Sequence, residues 1–69
     1  MNKDAIVSLL AREENKLQRQ KDNLDATEVE KQVLGDSARV NGKIERQRAS
    51  ISVTEHNINV LQKHLKKLD

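Results

Sequence analysis

A seven-residue repeat of apolar side chains in the second half of the chain constrains the fold most strongly. One column of the repeat consists of Ile44, Ile51, Ile58 and Leu65, and the column three residues on consists of Gln47, Thr54, Leu61 and Leu68, with Val40 before them. Two such columns form a stripe along one side of an α-helix and are typical of helices that pack against other helices. The spacing predicts a long amphipathic helix over residues 38–68.

The first half of the chain predicts a second helix, over residues 3–34. Asn2 can cap its start, Ile6 lies in a strongly apolar first part, and Leu10, Leu17 and Leu24 continue at seven-residue spacing. The register changes after Leu24. The stretch 25–28 has the form of a helix N-cap with an acid three residues on, so both one continuous helix and a kink or restart there are compatible with the sequence.

A glycine near the middle of the chain predicts the turn between the helices. Gly35 suits the end of a helix, and Asp36 or Ser37 suits the start of the next one. Asn41 and Gly42 are a second turn signal, which would extend the loop to residue 42. Because Val40 belongs to the apolar stripe, the short turn at residues 35–37 is favoured.

Composition supports a single all-α domain, residues 1–69. Charged residues make up 35% of the chain, and it has no aromatic residue, no proline and two glycines, which is unlike a sheet protein. The fold predicted is an antiparallel, coiled-coil-like helical hairpin. Since so short a chain buries only a thin core, we expect it to dimerise into a four-helix bundle.

The chemistry of an enzyme is missing from the sequence. There is no cysteine, no glycine-rich phosphate loop and no nucleophile motif, and the two histidines, His56 and His64, are too far apart for a helical metal pair. We therefore expect a non-enzymatic protein without a cofactor or metal. No apolar run is long enough to cross a bilayer and no leader pattern opens the chain, so a soluble cytoplasmic protein is expected.

The apolar stripes predict a protein–protein interaction module, such as a small adaptor, chaperone or assembly factor, which associates with itself or with the helices of a partner protein. The residues expected at the interface lie in the stripes of both helices: Ile6, Leu10, Leu17, Leu24, Val40, Ile44, Ile51, Ile58, Leu61 and Leu65.

The alternative is a small regulator that binds nucleic acid. A basic group on the second helix could contact phosphates, and it consists of Arg39, Lys43, Arg46 and Arg48. Three of its members share one side of the helix, although Glu45 lies among them. The chain has no aromatic residue for base stacking and a net charge of only +2, so protein binding is the preferred interpretation.

Overall fold

Two long helices packed against each other make up the protein. The computed structural model describes residues 2–68, in which α1 spans Lys3–Leu34 and α2 spans Ala38–Leu68. The pair forms an elongated hairpin of 50 × 15 × 13 Å. The all-α helical hairpin is thereby confirmed, and both helices begin and end at the predicted residues. The four-helix bundle stays a prediction.

Local hydrogen bonds define both ends of the turn. The backbone N–H of Gly35 donates to the carbonyl of Lys31 at 2.9 Å, and Gly35 has φ 88° and ψ 177°. Ser37 then caps α2, because its Oγ accepts from the backbone N–H of Val40 at 3.2 Å. Asn41 and Gly42 lie inside α2, and the Asn41 amide donates to the Asp36 carboxylate at 2.6 Å. The short turn was therefore the right alternative.

The start of α1 is capped as the sequence indicates. Asn2 Oδ1 accepts a hydrogen bond from the backbone N–H of Ala5 at 2.8 Å. The helix then continues without a break through residues 25–28, so the change of register does not end it. Thr27 turns inward there, is 2% exposed and donates its hydroxyl to the carbonyl of Asn23 at 3.0 Å.

The apolar core is concentrated at the open end of the hairpin, where the two termini lie. Ile6, Leu10 and Ile58 form a buried cluster there, and the half-buried side chains around it are Leu17, Leu61 and Leu65. Towards the turn, burial alternates between apolar side chains and polar ones such as Thr27 and Thr54. Neither described helix is long and apolar enough to cross a membrane.

Candidate interaction surfaces

The predicted interface residues lie between the two helices of one chain. Six of them are buried: Ile6, Leu10, Val40, Ile44, Ile51 and Ile58. The other four are half-buried: Leu17, Leu24, Leu61 and Leu65. These ten side chains form the seam that closes the hairpin, so a partner of the closed hairpin has to use its outer surface.

Two ion pairs show which sides of the helices meet. On one side of the seam, Lys43 Nζ lies 3.8 Å from Glu30 Oε2. On the other side, Arg48 Nη2 lies 3.5 Å from Glu28 Oε1. The four side chains are 42–66% exposed, so each pair stabilises the hairpin by about 1 kcal/mol at most. Residues at helical spacing from a member of either pair lie on the same side of the hairpin as that pair.

The side that carries Lys43 is strongly basic. Residues 16 and 23 precede Glu30 by whole heptads, so they lie on the same side of α1, and the neighbouring turns add residues 12 and 19. Lys67 shares this side at the open end. Six further exposed cations lie along it, three from each helix, and we call them the basic band: Arg12, Lys16, Arg19, Arg39, Lys43 and Arg46. In the described chain two acids adjoin this side: Glu30, which is paired with Lys43, and Glu13, which is half-buried and lines a shallow groove with the three cations of α1.

Three of the four predicted anion-binding residues belong to the basic band, and the fourth does not. Arg39, Lys43 and Arg46 follow one another along one side of α2. Arg48 lies on the opposite side of the hairpin, where it is paired with Glu28. The acids Glu14 and Glu45 also lie on that side, so its charge is mixed.

Sequence reasoning missed Arg12, Lys16 and Arg19, although a signal for them exists. The spacing Arg-x-x-x-Lys-x-x-Arg occurs at residues 12–19 and again at residues 39–46. Aligned at this offset of 27 positions, residues 12–34 and 39–61 are identical at eight positions. Glu13 and Glu14 obscure the first copy, because they neutralise its charge in the sequence. On the helix, Glu14 lies on the opposite side, whereas Glu13 is half-buried beside the three cations.

Corresponding residues of the two copies have the same burial and hydrogen bonding in the structure. Thr27 and Thr54 occupy corresponding positions, both are buried, and each donates its hydroxyl to the carbonyl four residues earlier. Gln20 and Gln47 also correspond, and each has a buried Oε1 atom without a hydrogen-bond partner. The antiparallel helices are thus related by a pseudo-two-fold axis that passes through the basic side.

A groove lined by polar and basic residues lies where this axis meets the basic side. It has a volume of about 300 Å³, and we call it the central groove; it is lined by Gln20, Asn23, Lys43, Arg46, Gln47 and Ser50. Four of these residues are two pairs of corresponding positions, one glutamine and one smaller polar residue from each helix. The groove therefore offers hydrogen-bonding groups between the two arms of the basic band.

A second groove, of about 500 Å³, lies at the open end. We call it the open-end groove, and its lining is mainly apolar with two basic side chains at the rim: Ile6, Val60, Leu61, His64, Lys67 and Leu68. No acidic residue lines it among those described. Val53 continues its apolar surface along α2 and is 61% exposed. This is the apolar surface that the hairpin itself leaves uncovered next to its core.

The fold and these surfaces define a class, the small all-α helical hairpin, and comparison with known proteins does not narrow it. No family model matches the chain, and no curated protein or solved structure matches it significantly. In residues 2–68, no group of three or more potential ligands is placed to hold a metal ion. Function has to be argued from the two outer surfaces.

Proposed function

We propose that the hairpin is a non-enzymatic docking module that holds an amphipathic helix of a partner protein in its open-end groove. The observation that carries this proposal is the groove itself, which continues the core cluster of Ile6, Leu10 and Ile58 out to the surface. Apolar grooves of this kind bind the apolar side of a helix.

The exposed area of the chain supports a role in binding. The hairpin exposes 5316 Å², whereas a compact protein of 7.9 kDa exposes roughly 4,400 Å². The difference, roughly 900 Å², is close to the roughly 800 Å² that each partner buries in a standard interface. An elongated hairpin thus has surface available for association without losing any of its own packing.

Charge favours an acidic partner. Lys67 stands at the rim of the groove, and Arg12 lies on the same side of the hairpin. A second copy docked symmetrically would place its open-end groove against the open-end groove of the first and bring the two Lys67 side chains together. A helix with an apolar stripe flanked by glutamates or aspartates complements both the apolar lining and the basic rim of the groove.

The test uses two designed three-heptad peptides with the same leucine stripe, one flanked by glutamates and one by lysines. Fluorescence anisotropy should show binding of the acidic peptide at micromolar concentration and much weaker binding of the basic one. Val60→Glu should weaken binding at least about fivefold, since it puts a charge into an apolar contact. Val33→Glu is the matched control, because Val33 corresponds to Val60 in the repeat but lies near the turn and is 75% exposed.

Three results would count against the proposal. Equal binding of the two peptides would show that charge does not select the partner. An equal loss of affinity in Val60→Glu and Val33→Glu would show that the peptide does not bind in the open-end groove. Light scattering that gives twice the chain mass, reduced to the single mass by Val60→Glu, would make a second copy the occupant instead of an acidic helix.

A further inference from the structure

The basic band has a geometry that the net charge of the chain conceals. The whole chain carries only +2, yet the six cations of the band lie on one side of the hairpin. The acids described there are Glu30, which is already paired with Lys43, and the half-buried Glu13. The other side holds mixed charges, including the Arg48–Glu28 pair. The hairpin therefore presents a concentrated positive potential in one direction, which attracts a polyanion.

The band also has a defined length and symmetry. At about 1.5 Å per residue, and with Glu30 level with Lys43, its ends at Arg12 and Arg39 are separated by about 33 Å along the hairpin. This is close to one turn of a B-form duplex, about 34 Å. The pseudo-two-fold axis relates the cations of α1 to those of α2, as the two-fold axes of a duplex relate its two phosphate strands.

The central groove adds polar groups on this axis. It is lined by Gln20 and Gln47 together with Asn23 and Ser50, whose side chains can donate N–H or O–H groups. Amide side chains are suited to phosphate, sugar and base edges alike. The chain has no Phe, Tyr or Trp, so it lacks the stacking platform with which proteins hold single strands.

We propose that the basic band binds the sugar–phosphate backbones of a double-stranded nucleic acid, with the pseudo-two-fold axis of the hairpin along a two-fold axis of the duplex. Each helix contacts one strand through its three cations, and the central groove faces the duplex between them. Binding is independent of sequence, because the contacts are to phosphates. The inference goes beyond the docking function and uses different residues from the open-end groove.

The first test is the salt dependence of binding to a labelled duplex of two helical turns, followed by fluorescence anisotropy. Six phosphate contacts predict a slope of log K against log salt of about −5 for B-form DNA. The single strand should bind at least about fivefold more weakly, since it does not hold two backbones at the spacing of the band. The same titration with an RNA duplex decides whether the hairpin binds B-form or A-form duplexes more tightly.

Charge reversal at corresponding positions tests the symmetry. Lys16→Glu and Lys43→Glu should each weaken duplex binding about tenfold, because each changes one half of a two-fold arrangement. Lys21→Glu is the control: it makes the same change in net charge on the opposite side of α1 and should leave binding within about twofold. Circular dichroism confirms that all three variants stay helical.

The proposal fails if Lys21→Glu weakens binding as much as Lys16→Glu, since net charge alone would then explain the affinity. It also fails if Lys43→Glu matters and Lys16→Glu does not, if the single strand binds as tightly as the duplex, or if vesicles rich in phosphatidylserine bind the same band in preference to nucleic acid. Duplex binding that survives Val60→Glu separates this result from that of the docking proposal.

Discussion

The two glycines of the chain occupy opposite situations. Gly35 has φ 88° with an extended ψ of 177°, a combination that is essentially restricted to glycine. Gly42 lies within the first two turns of α2, where a Cβ atom would make only an ordinary contact with Arg46 Nη1 at 3.5 Å. One glycine is required by the backbone and the other weakens a helix.

Alanine at these two positions should therefore have effects of opposite sign. Gly35→Ala should lower the free energy of unfolding by about 1–3 kcal/mol, because it forces an unfavourable backbone conformation. Gly42→Ala should raise it by about 0.5–1 kcal/mol through helix propensity. Urea denaturation followed by circular dichroism measures both, and a loss of stability in both variants would mean that the Gly42 region is not helical.

Gln47 is a polar residue in the seam that lowers the stability of the hairpin. Its Oε1 atom is buried and has no partner, and an unsatisfied acceptor of this kind costs about 1–3 kcal/mol. Gln47→Leu should therefore raise the free energy of unfolding by about 1–2 kcal/mol in thermal or urea denaturation. Gln62→Leu, an exposed glutamine on the same helix, is the control and should change it by less than about 0.5 kcal/mol. If Gln47→Leu proves no more stable than the original chain, the glutamine oxygen is satisfied by water.

At the scale of the element, the seven-residue repeat separates buried from exposed positions on α2. Ile51 lies in the seam and is buried, whereas Val53, two residues on, is 61% exposed. The chain thus carries large apolar residues on two sides of the same helix. One set closes the hairpin, and the other is left outside.

Truncation of these two side chains should differ sharply in effect. Ile51→Ala should lower the free energy of unfolding by about 2–4 kcal/mol, because it leaves a cavity in a thin core. Val53→Ala should change it by less than about 0.5 kcal/mol. Equal losses in the two variants would show that Val53 is also covered, as it would be in a four-helix bundle.

The elements were predictable from the sequence because their signals are local. Asn2, Gly35 and Ser37 are capping and turn residues, and each acts on backbone groups within three or four positions of itself. The stripe from Val40 to Leu65 needs no more than the helical period. The choice between a short turn and a longer loop through Asn41 and Gly42 also depended on a local signal. Val40 belongs to the apolar stripe, and it is buried in the structure.

The outer surfaces were less predictable because they combine distant parts of the chain. Arg12, Lys16 and Arg19 join Arg46 only when the chain reverses at Gly35. Arg48 is separated from Arg46 by helix geometry alone, because positions two residues apart are about 200° apart around a helix. The prediction of a helical hairpin already implied that the two helices would pack their apolar stripes against each other. Which apolar residues the hairpin would leave exposed, such as Val33 and Val53, depends on the relative rotation of the two helices.

At the scale of the whole molecule, the closed hairpin is what brings two separated stretches of sequence onto one side. Its core is small, with six buried apolar side chains among the described residues, and the polar layers at Thr27 and Thr54 weaken it further. Both proposed functions depend on closure, because the open-end groove and the basic band each take residues from both helices.

The most direct test of closure is a distance between the two arms of the basic band. The chain has no cysteine, so spin labels can be attached to the double variant Lys16→Cys, Lys43→Cys and the distance measured by pulsed electron resonance. An antiparallel hairpin with both positions on one side predicts a single distribution near 20 Å between the backbones. A distribution centred at about 40 Å, the length of an unbroken helix between these residues, would contradict the hairpin and with it both proposed surfaces.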